Sequence, residues 1–242
     1  MCHSDDSRPP APPISTGVAE RNELHLTSSD GNTFLAYEAK PAAPNGRGIV
    51  IMPDVRGLHA FYRELAAQFA DAGFHAVAID YFGRTADTDT RDESFEFMPH
   101  VQKTTPEGIA ADVAAGIAHL DDASAIFTVG FCFGGSASWR QSGHGHNLAG
   151  AIGFYGGHPV ERAGPWVPTM TAPLLMLLAG VDSTTPEEFA EFEGMVRKHG
   201  VEVESHTYPG APHSFFDRSF DDHRAACEDA WRRILDFTER LG

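Results

Sequence analysis

Thr128-Val129-Gly130-Phe131-Cys132-Phe133-Gly134-Gly135-Ser136 is the stretch on which the reading of this chain turns. An apolar run, Ala125 to Val129, leads into it, and a glycine- and alanine-rich helix, to about Gly143, leads out. An apolar strand that breaks off in Gly-x-Cys-x-Gly and restarts as a helix is an elbow with Cys132 at its tip. Backbone at such a tip has positive φ, which is costly for any residue but glycine. The residues two before and two after it must be nearly devoid of side chain, because a Cβ there would strike the turning strand or helix. Gly130 and Gly134 meet that need. The helix that follows points its N-terminus at the sulfur and favours thiolate over thiol. The N–H of Phe133 is a ready donor to a developing oxyanion. A small cysteine packed among glycines at a strand end would carry the same five residues; the acid and histidine downstream favour the nucleophile.

Outward from the elbow, apolar runs alternate with helical spacings. Glu23 to Thr27 and Thr33 to Ala39 flank the turn Asp30-Gly31-Asn32 and read as a hairpin. Gly48 to Met52, Ala76 to Ile79, Ala149 to Phe154 and Pro173 to Ala179 read as buried strands, and Val201 to Tyr208 as an alternating one. Helices are expected over Phe61 to Ala72, Pro106 to Leu120, Pro186 to His199 and Asp222 to Leu241. Residues 1–18, rich in proline, read as a flexible extended arm, and 19–242 as one domain. Residues 85–105 form a long irregular stretch, expected to be partly helical or a lid. Strand–helix alternation means an α/β fold: a mostly parallel, doubly wound sheet with helices on both faces.

The 242 residues suffice for one substantial core, and 18 basic against 34 acidic side chains leave a net charge of −16. That charge argues against nucleic acid or an anionic membrane as partner. Three cysteines, Cys2, Cys132 and Cys227, make no disulfide framework. No apolar run reaches the roughly 18 residues of a membrane span, and the polar N-terminus is unlike a signal peptide. A cytoplasmic protein, monomeric or a small homo-oligomer, with a small-molecule substrate is expected. His144-Gly145-His146 has the look of a metal hook, but no third ligand stands at a telling spacing, so no metal is expected.

In doubly wound sheets, chemistry collects beyond the carboxyl ends of the strands. Asp54, Cys132, Asp182 and His213 all follow expected strands, which makes them one candidate site. The order nucleophile, acid, histidine gives Cys132 the attack on a carbonyl. His213 is the ion-pair partner and proton donor, and Asp182 orients the imidazole. The N–H groups of Phe133 and Val55 are the expected oxyanion hole.

Gly130-Phe131-Cys132-Phe133-Gly134-Gly135, Phe154-Tyr155-Gly156, Gly180-Val181-Asp182 and Gly210-Ala211-Pro212-His213-Ser214-Phe215 together resemble the dienelactone hydrolase family, over about residues 20–240. The resemblance implies a single α/β-hydrolase domain with a Cys-His-Asp triad and no cofactor, acting on enol lactones that bear a carboxylate, the carboxymethylenebutenolides. Two departures stand out. A family glutamate that contacts the resting thiol is replaced by Asp54, a candidate thiol-activating or pocket residue. Of two family arginines that hold the substrate carboxylate, one matches Arg84; the other position is Asp217, with Arg218 next to it. Arg56 is a substitute or an ordinary surface arginine. Arg84, Arg218 and Tyr155 are the candidate substrate-binding residues. Tyr155, His59 and His158 also have the plainer reading of packing or solvent-facing side chains.

The expected activity is cofactor-free hydrolysis of lactones or small activated esters. A glutamine amidotransferase-like domain also sets a cysteine on such an elbow, but it has His-x-Glu after its last strand, where this chain has His213-Ser214-Phe215. The alternative from another class is a non-catalytic binding or interaction module on a hydrolase fold. Thiol alkylation well below the ordinary cysteine pKa of about 8.5 separates the two.

Overall fold

The computed structural model describes residues 6–86, 91–92, 94–217, 219 and 221–242. Its eight strands are β1 (Val18–Thr27), β2 (Thr33–Pro41), β3 (Arg47–Met52), β4 (His75–Ile79), β5 (Ala125–Phe131), β6 (Gly150–Phe154), β7 (Leu174–Val181) and β8 (Val203–Pro212). They form one sheet in the order β1-β2-β4-β3-β5-β6-β7-β8. β1 and β2 pair antiparallel, as does β2 with β4; every other pair is parallel. The helices are α1 (Ala60–Asp71), α2 (Met98–Val101), α3 (Pro106–His119), α4 (Phe133–Gln141), α5 (Pro159–Arg162), α6 (Pro186–Lys198) and α7 (Arg224–Leu241). Proline at the first turn, with the Thr105 and Thr185 hydroxyls accepting from the N–H of Gly108 and Glu188, starts α3 and α6.

Strand periodicity sorts the core into two layers. Ile49, Ile51, Val129 and Phe131 face α1 and α7, where Phe61, Leu65, Trp231 and Ile234 cover them. Val50, Met52 and Val77 face the other way, towards Ile109 and Val113 of α3. Met176 and Leu178 pack against Phe189 and Phe192 of α6. Each such large side chain contributes roughly 1.5–3 kcal/mol on full burial.

Sheet order reverses around β3, with β4 on one side and β5 on the other. The crevice at that reversal is where a doubly wound sheet opens to a ligand. Register decides what lies there. Met52 pairs with Gly130, so residues 54–55 come out beside 132–133. Val181 pairs with Pro212, so Asp182 and His213 emerge together.

The structure bears on two expectations. The N-terminal arm is extended from residue 6, but it is docked. The Trp231 indole N–H donates to the Pro10 carbonyl at 3.0 Å, and the Arg8 N–H to Asp217 at 3.0 Å. A proline-rich segment gives up little freedom on binding, so one indole bond and the burial of Pro9 and Pro10 suffice to hold it. Within 85–105, Met98–Val101 is helical. Arg91 is buried against Asp80, at 2.9 Å, and lies over the Phe95 ring; residues 87–90 and 93 lie outside the described residues.

At the amino ends of the parallel strands, buried Glu38 sits 2.9 Å from His75 Nε2 and 2.7 Å from His119 Nε2. Burial pushes its pKa up, but hydrogen bonds from Asn22, His75 and His119 and the charge of Lys40 outweigh that and hold it at about 2. A carboxyl whose folded pKa is depressed contributes stability above its ordinary pKa of 4.5, and loses it as pH falls through about 2. Glu38→Gln is therefore expected to cost about 2 kcal/mol at pH 7 and much less near pH 2. Urea unfolding measured at both values checks this.

Candidate active site

Cys132 stands between β5 and α4 with φ 55° and ψ −114°. Its N–H donates to the Phe154 carbonyl at 3.1 Å, and its own carbonyl accepts from the Gly135 N–H at 2.9 Å. These bonds fix a backbone that would otherwise relax at a gain of order 1–3 kcal/mol. The flanking glycines are required by contact. A Cβ on Gly130 would lie 1.8 Å from the Gly134 carbonyl oxygen, and one on Gly134 would lie 2.2 Å from that of Met52.

His213 follows β8, and its N–H donates to the Val181 carbonyl at 3.1 Å. Its Nδ1 lies 2.7 Å from Asp182 Oδ2, and the ring is also hydrogen-bonded to the Cys132 side chain. Because Asp182 occupies Nδ1, the other nitrogen is the one left for the sulfur. Burial disfavours the charged ring, but the hydrogen bonds and charges of Asp182 and Cys132 outweigh it and raise the His213 pKa to about 9. Burial likewise pushes Asp182 up; His213 and the Ser183 N–H and hydroxyl reverse that and lower it overall. The site can thus hold an imidazolium between a carboxylate and a sulfur at neutral pH.

Val55 and Phe133 line one cavity of about 300 Å³, and among the described residues neither N–H has an acceptor. The cavity runs along one face of α4, past Ser136 and Ala137 to Arg140, with Ile109 and Met98 opposite and Arg162 at its rim.

The other expected site residues are placed differently. Arg84 is not available as a substrate clamp. Its guanidinium is spent on Asp30, on Asp112 at 2.8 Å and on the Gly108 carbonyl at 3.1 Å, which tie the hairpin turn to α3. Tyr155 is fully buried, so it does not line the pocket; its ring backs His213 at 4.8 Å. Arg218 lies outside the described residues. Asp54 is fully buried, with Oδ1 accepting from the Arg56 N–H at 2.9 Å and Oδ2 lying 3.6 Å from His59 Nε2. Arg56 is no surface residue: its Nε lies 3.7 Å from Asp54 and its Nη2 2.7 Å from His59. His59 is buried and its Nδ1 accepts from the Phe61 N–H at 3.4 Å at the start of α1. His158 is exposed, 3.5 Å from Glu188.

Arg140 and Arg162 escaped the sequence reading. The spacing 133, 136, 137, 140 puts Arg140 on the helix face that begins beside Cys132, and that was the available signal. Among the described residues, Glu38, His75 and His119 are the group able to offer a metal three ligand atoms, all within 4.8 Å of one another. They stand at the opposite end of the sheet from Cys132, with both histidines hydrogen-bonded to Glu38. Among the described residues, no helix is long and apolar enough to cross a membrane.

A sequence model described as the dienelactone hydrolase family matches residues 34–241. The carboxymethylenebutenolidase of Pseudomonas putida is 29% identical over 232 residues, covering 90% of this chain and 96% of its own. Two solved structures share the fold. One is a dienelactone hydrolase-like promiscuous phosphotriesterase from metagenomic libraries, with a TM-score of 0.76 and 21% identity, covering 93% of this chain and 100% of its own. The other is a Pyrococcus furiosus esterase, with a TM-score of 0.68 and 13% identity, covering 96% and 98%.

Proposed function

This chain belongs to the dienelactone hydrolase family, and on that premise we propose that it opens lactones or small activated esters by covalent catalysis at Cys132, with no cofactor. It is a hydrolase of ester bonds; the residue roles are our assignment. The observation that carries them is the hydrogen-bonded series Asp182–His213–Cys132 on a strained elbow, beside the Val55 and Phe133 N–H groups.

In the first half-reaction the Cys132 thiolate attacks the carbonyl carbon and a C–S bond forms. The carbonyl electrons move onto oxygen, where the N–H groups of Phe133 and Val55 receive them. Each such donor is worth roughly 3–4 kcal/mol in hydrolases of this kind. Collapse breaks the C–O bond of the lactone or ester, and the leaving oxygen takes the proton of His213. In the second half-reaction neutral His213 accepts a proton from water, the hydroxide attacks the thioester, and the thiolate leaves. A thiolate is a good leaving group, which suits activated enol esters better than amides. With His213 supplying activation, Asp54 is a positioning residue: its bond to the Arg56 N–H turns the backbone at Val55.

The test is turnover of a carboxymethylenebutenolide beside p-nitrophenyl acetate. Hydrolysis of the lactone supports the proposal. Hydrolysis of the simple ester alone moves the substrate elsewhere, and inertness towards both overturns the reading.

A pH profile tests the roles. Because the His213 pKa is raised, its proton is held up to about pH 9 and lost above it. Acylation is therefore expected to decline as pH rises through about 9. Asp182→Asn, which removes the carboxylate whose hydrogen bond does most to raise that pKa, is expected to shift that limb towards the ordinary histidine range and to lower kcat at least about a hundredfold. A limb that stays in place in the variant removes Asp182 from the role.

A further inference from the structure

The amino ends of the parallel strands carry a second cluster of ionisable side chains. Glu38 comes from β2, His75 opens β4 and His119 closes α3. His75 is level with Gly48 and, through it, with Ile126, six positions before Cys132 and so roughly 20 Å away along the strand. His75 Nε2, at 2.9 Å, and His119 Nε2, at 2.7 Å, converge on the same Glu38 oxygen. The three side chains line a cavity of about 390 Å³, together with Lys40, Asp121 and Asp122.

The groups behind them complete the arrangement. Asp122 lies 2.6 Å from His75 Nδ1, and Asn22 donates to the other Glu38 oxygen at 3.0 Å. A carboxylate on the far nitrogen is the usual partner of a metal-bound imidazole, because it fixes the ring and makes the ligating nitrogen more basic. It also selects the tautomer, since a neutral imidazole has one N–H. With that proton on Nδ1 towards Asp122, Nε2 turns its lone pair on a carboxylate oxygen 2.9 Å away. A cation between the two converts that repulsion into two bonds. Tetrahedral Zn²⁺ holds nitrogen and oxygen ligands at about 2.0–2.2 Å, hence about 3.3 Å from one another. The histidines need to draw back by roughly half an ångström to admit it. His119, 30% exposed in the last turn of α3, can make that move.

We propose that Glu38, His75 and His119 bind one divalent ion of the zinc class, with its fourth position open to the cavity. Two imidazoles and a carboxylate suit Zn²⁺ and disfavour Mg²⁺ or Ca²⁺, which take oxygen ligands. Lys40 Nζ lies 3.7 Å from the same Glu38 oxygen, and its half-exposed side chain swings out as the ion takes over its charge. The ion ties β2 and β4 to the end of α3. At its distance from Cys132 it takes no part in bond-making there, so its effect is on the stability of the fold. No short motif joins the three ligands in sequence; the pairing of β2 with β4 and the return of α3 bring them together.

The experiment titrates Zn²⁺ by calorimetry into chelator-stripped Cys132→Ala, a background that removes the active-site thiolate as a competing ligand. The same background carrying His119→Gln or Asp122→Asn is titrated beside it. One ion per chain is expected, with a Kd tighter than about 10 µM. Asp122→Asn is expected to weaken binding about ten- to a hundredfold, and His119→Gln, which removes a ligand itself, by more. The glutamine keeps an N–H for Glu38, so the fold is retained. Zn²⁺ at a hundredfold excess over Kd is expected to raise Tm by about 5 °C or more, and Mg²⁺ is not. That shift disappears in His119→Gln, whereas a histidine with only a packing role would leave it in place. A Kd weaker than about 10 µM overturns the proposal and leaves the cluster as an ion-pair network with His75 protonated. Affinity and Tm shift that survive His119→Gln overturn it too, and place the zinc elsewhere on the chain.

Discussion

Cys132→Ala is expected to lower kcat/KM on an activated ester by roughly 10⁴-fold or more, with thermal stability within about 1 kcal/mol of wild type. The alanine keeps a Cβ at φ 55° and so inherits the same backbone strain. What disappears is the nucleophile, and with it the anion that helps raise His213 to about 9. The residual rate measures what the Val55 and Phe133 donors and simple binding supply without covalent catalysis. Initial rates and a melting curve on the same preparation decide the matter. A variant that folds and keeps more than about a tenth of wild-type activity would remove Cys132 from the mechanism.

The second large effect concerns a residue without a side chain. Gly130→Ala would set a Cβ 1.8 Å from the Gly134 carbonyl oxygen. Relief requires β5 or the first turn of α4 to move by more than an ångström, and both are locked by packing on β3 and β6. The expected cost is at least about 4 kcal/mol, a fall in Tm of about 10 °C or more for a domain of this size. Gly194→Ala is the control. That glycine lies inside α6 with nothing within 4 Å of an added Cβ, so the same chemical change should stabilise by about 0.5–1 kcal/mol. Equal melting points for the two variants would show that the close approach at Gly130 has been misjudged.

These two residues also mark what sequence reveals. The elbow was legible because its requirements are local: an apolar strand, a tip residue, glycines at fixed offsets. The strand and helix alternation was legible for the same reason, and it puts Asp182 and His213 at the ends of two neighbouring parallel strands; the register shift between Ala179 and Val181 that sets Val181 on Pro212 was not legible. Arg84 was misleading because its partners, Asp30 in the hairpin turn and Asp112 on α3, meet it only in three dimensions. Tyr155 follows a strand as a pocket residue would, but a φ of 37° turns it inward beneath His213. Segment 159–169, one short helix followed by a 3₁₀ turn with prolines inside it, carries no periodicity long enough to read. Arg140 was hidden differently. A charged residue on a helix is by default solvent-facing, and it is the packing of α2, α3 and segment 159–169 around it that makes it interior.

The seam between the proline-rich arm and α7 has a temporal meaning. Pro10 and Trp231, joined through carbonyl and indole, are 221 positions apart. On a ribosome the arm emerges well before its partner in α7. The apolar layer that α7 covers, from Phe69 to Phe127, stays bare until that helix has cleared the exit tunnel. The arm and α7 therefore fasten one another, and the domain closes only once both are out of the ribosome.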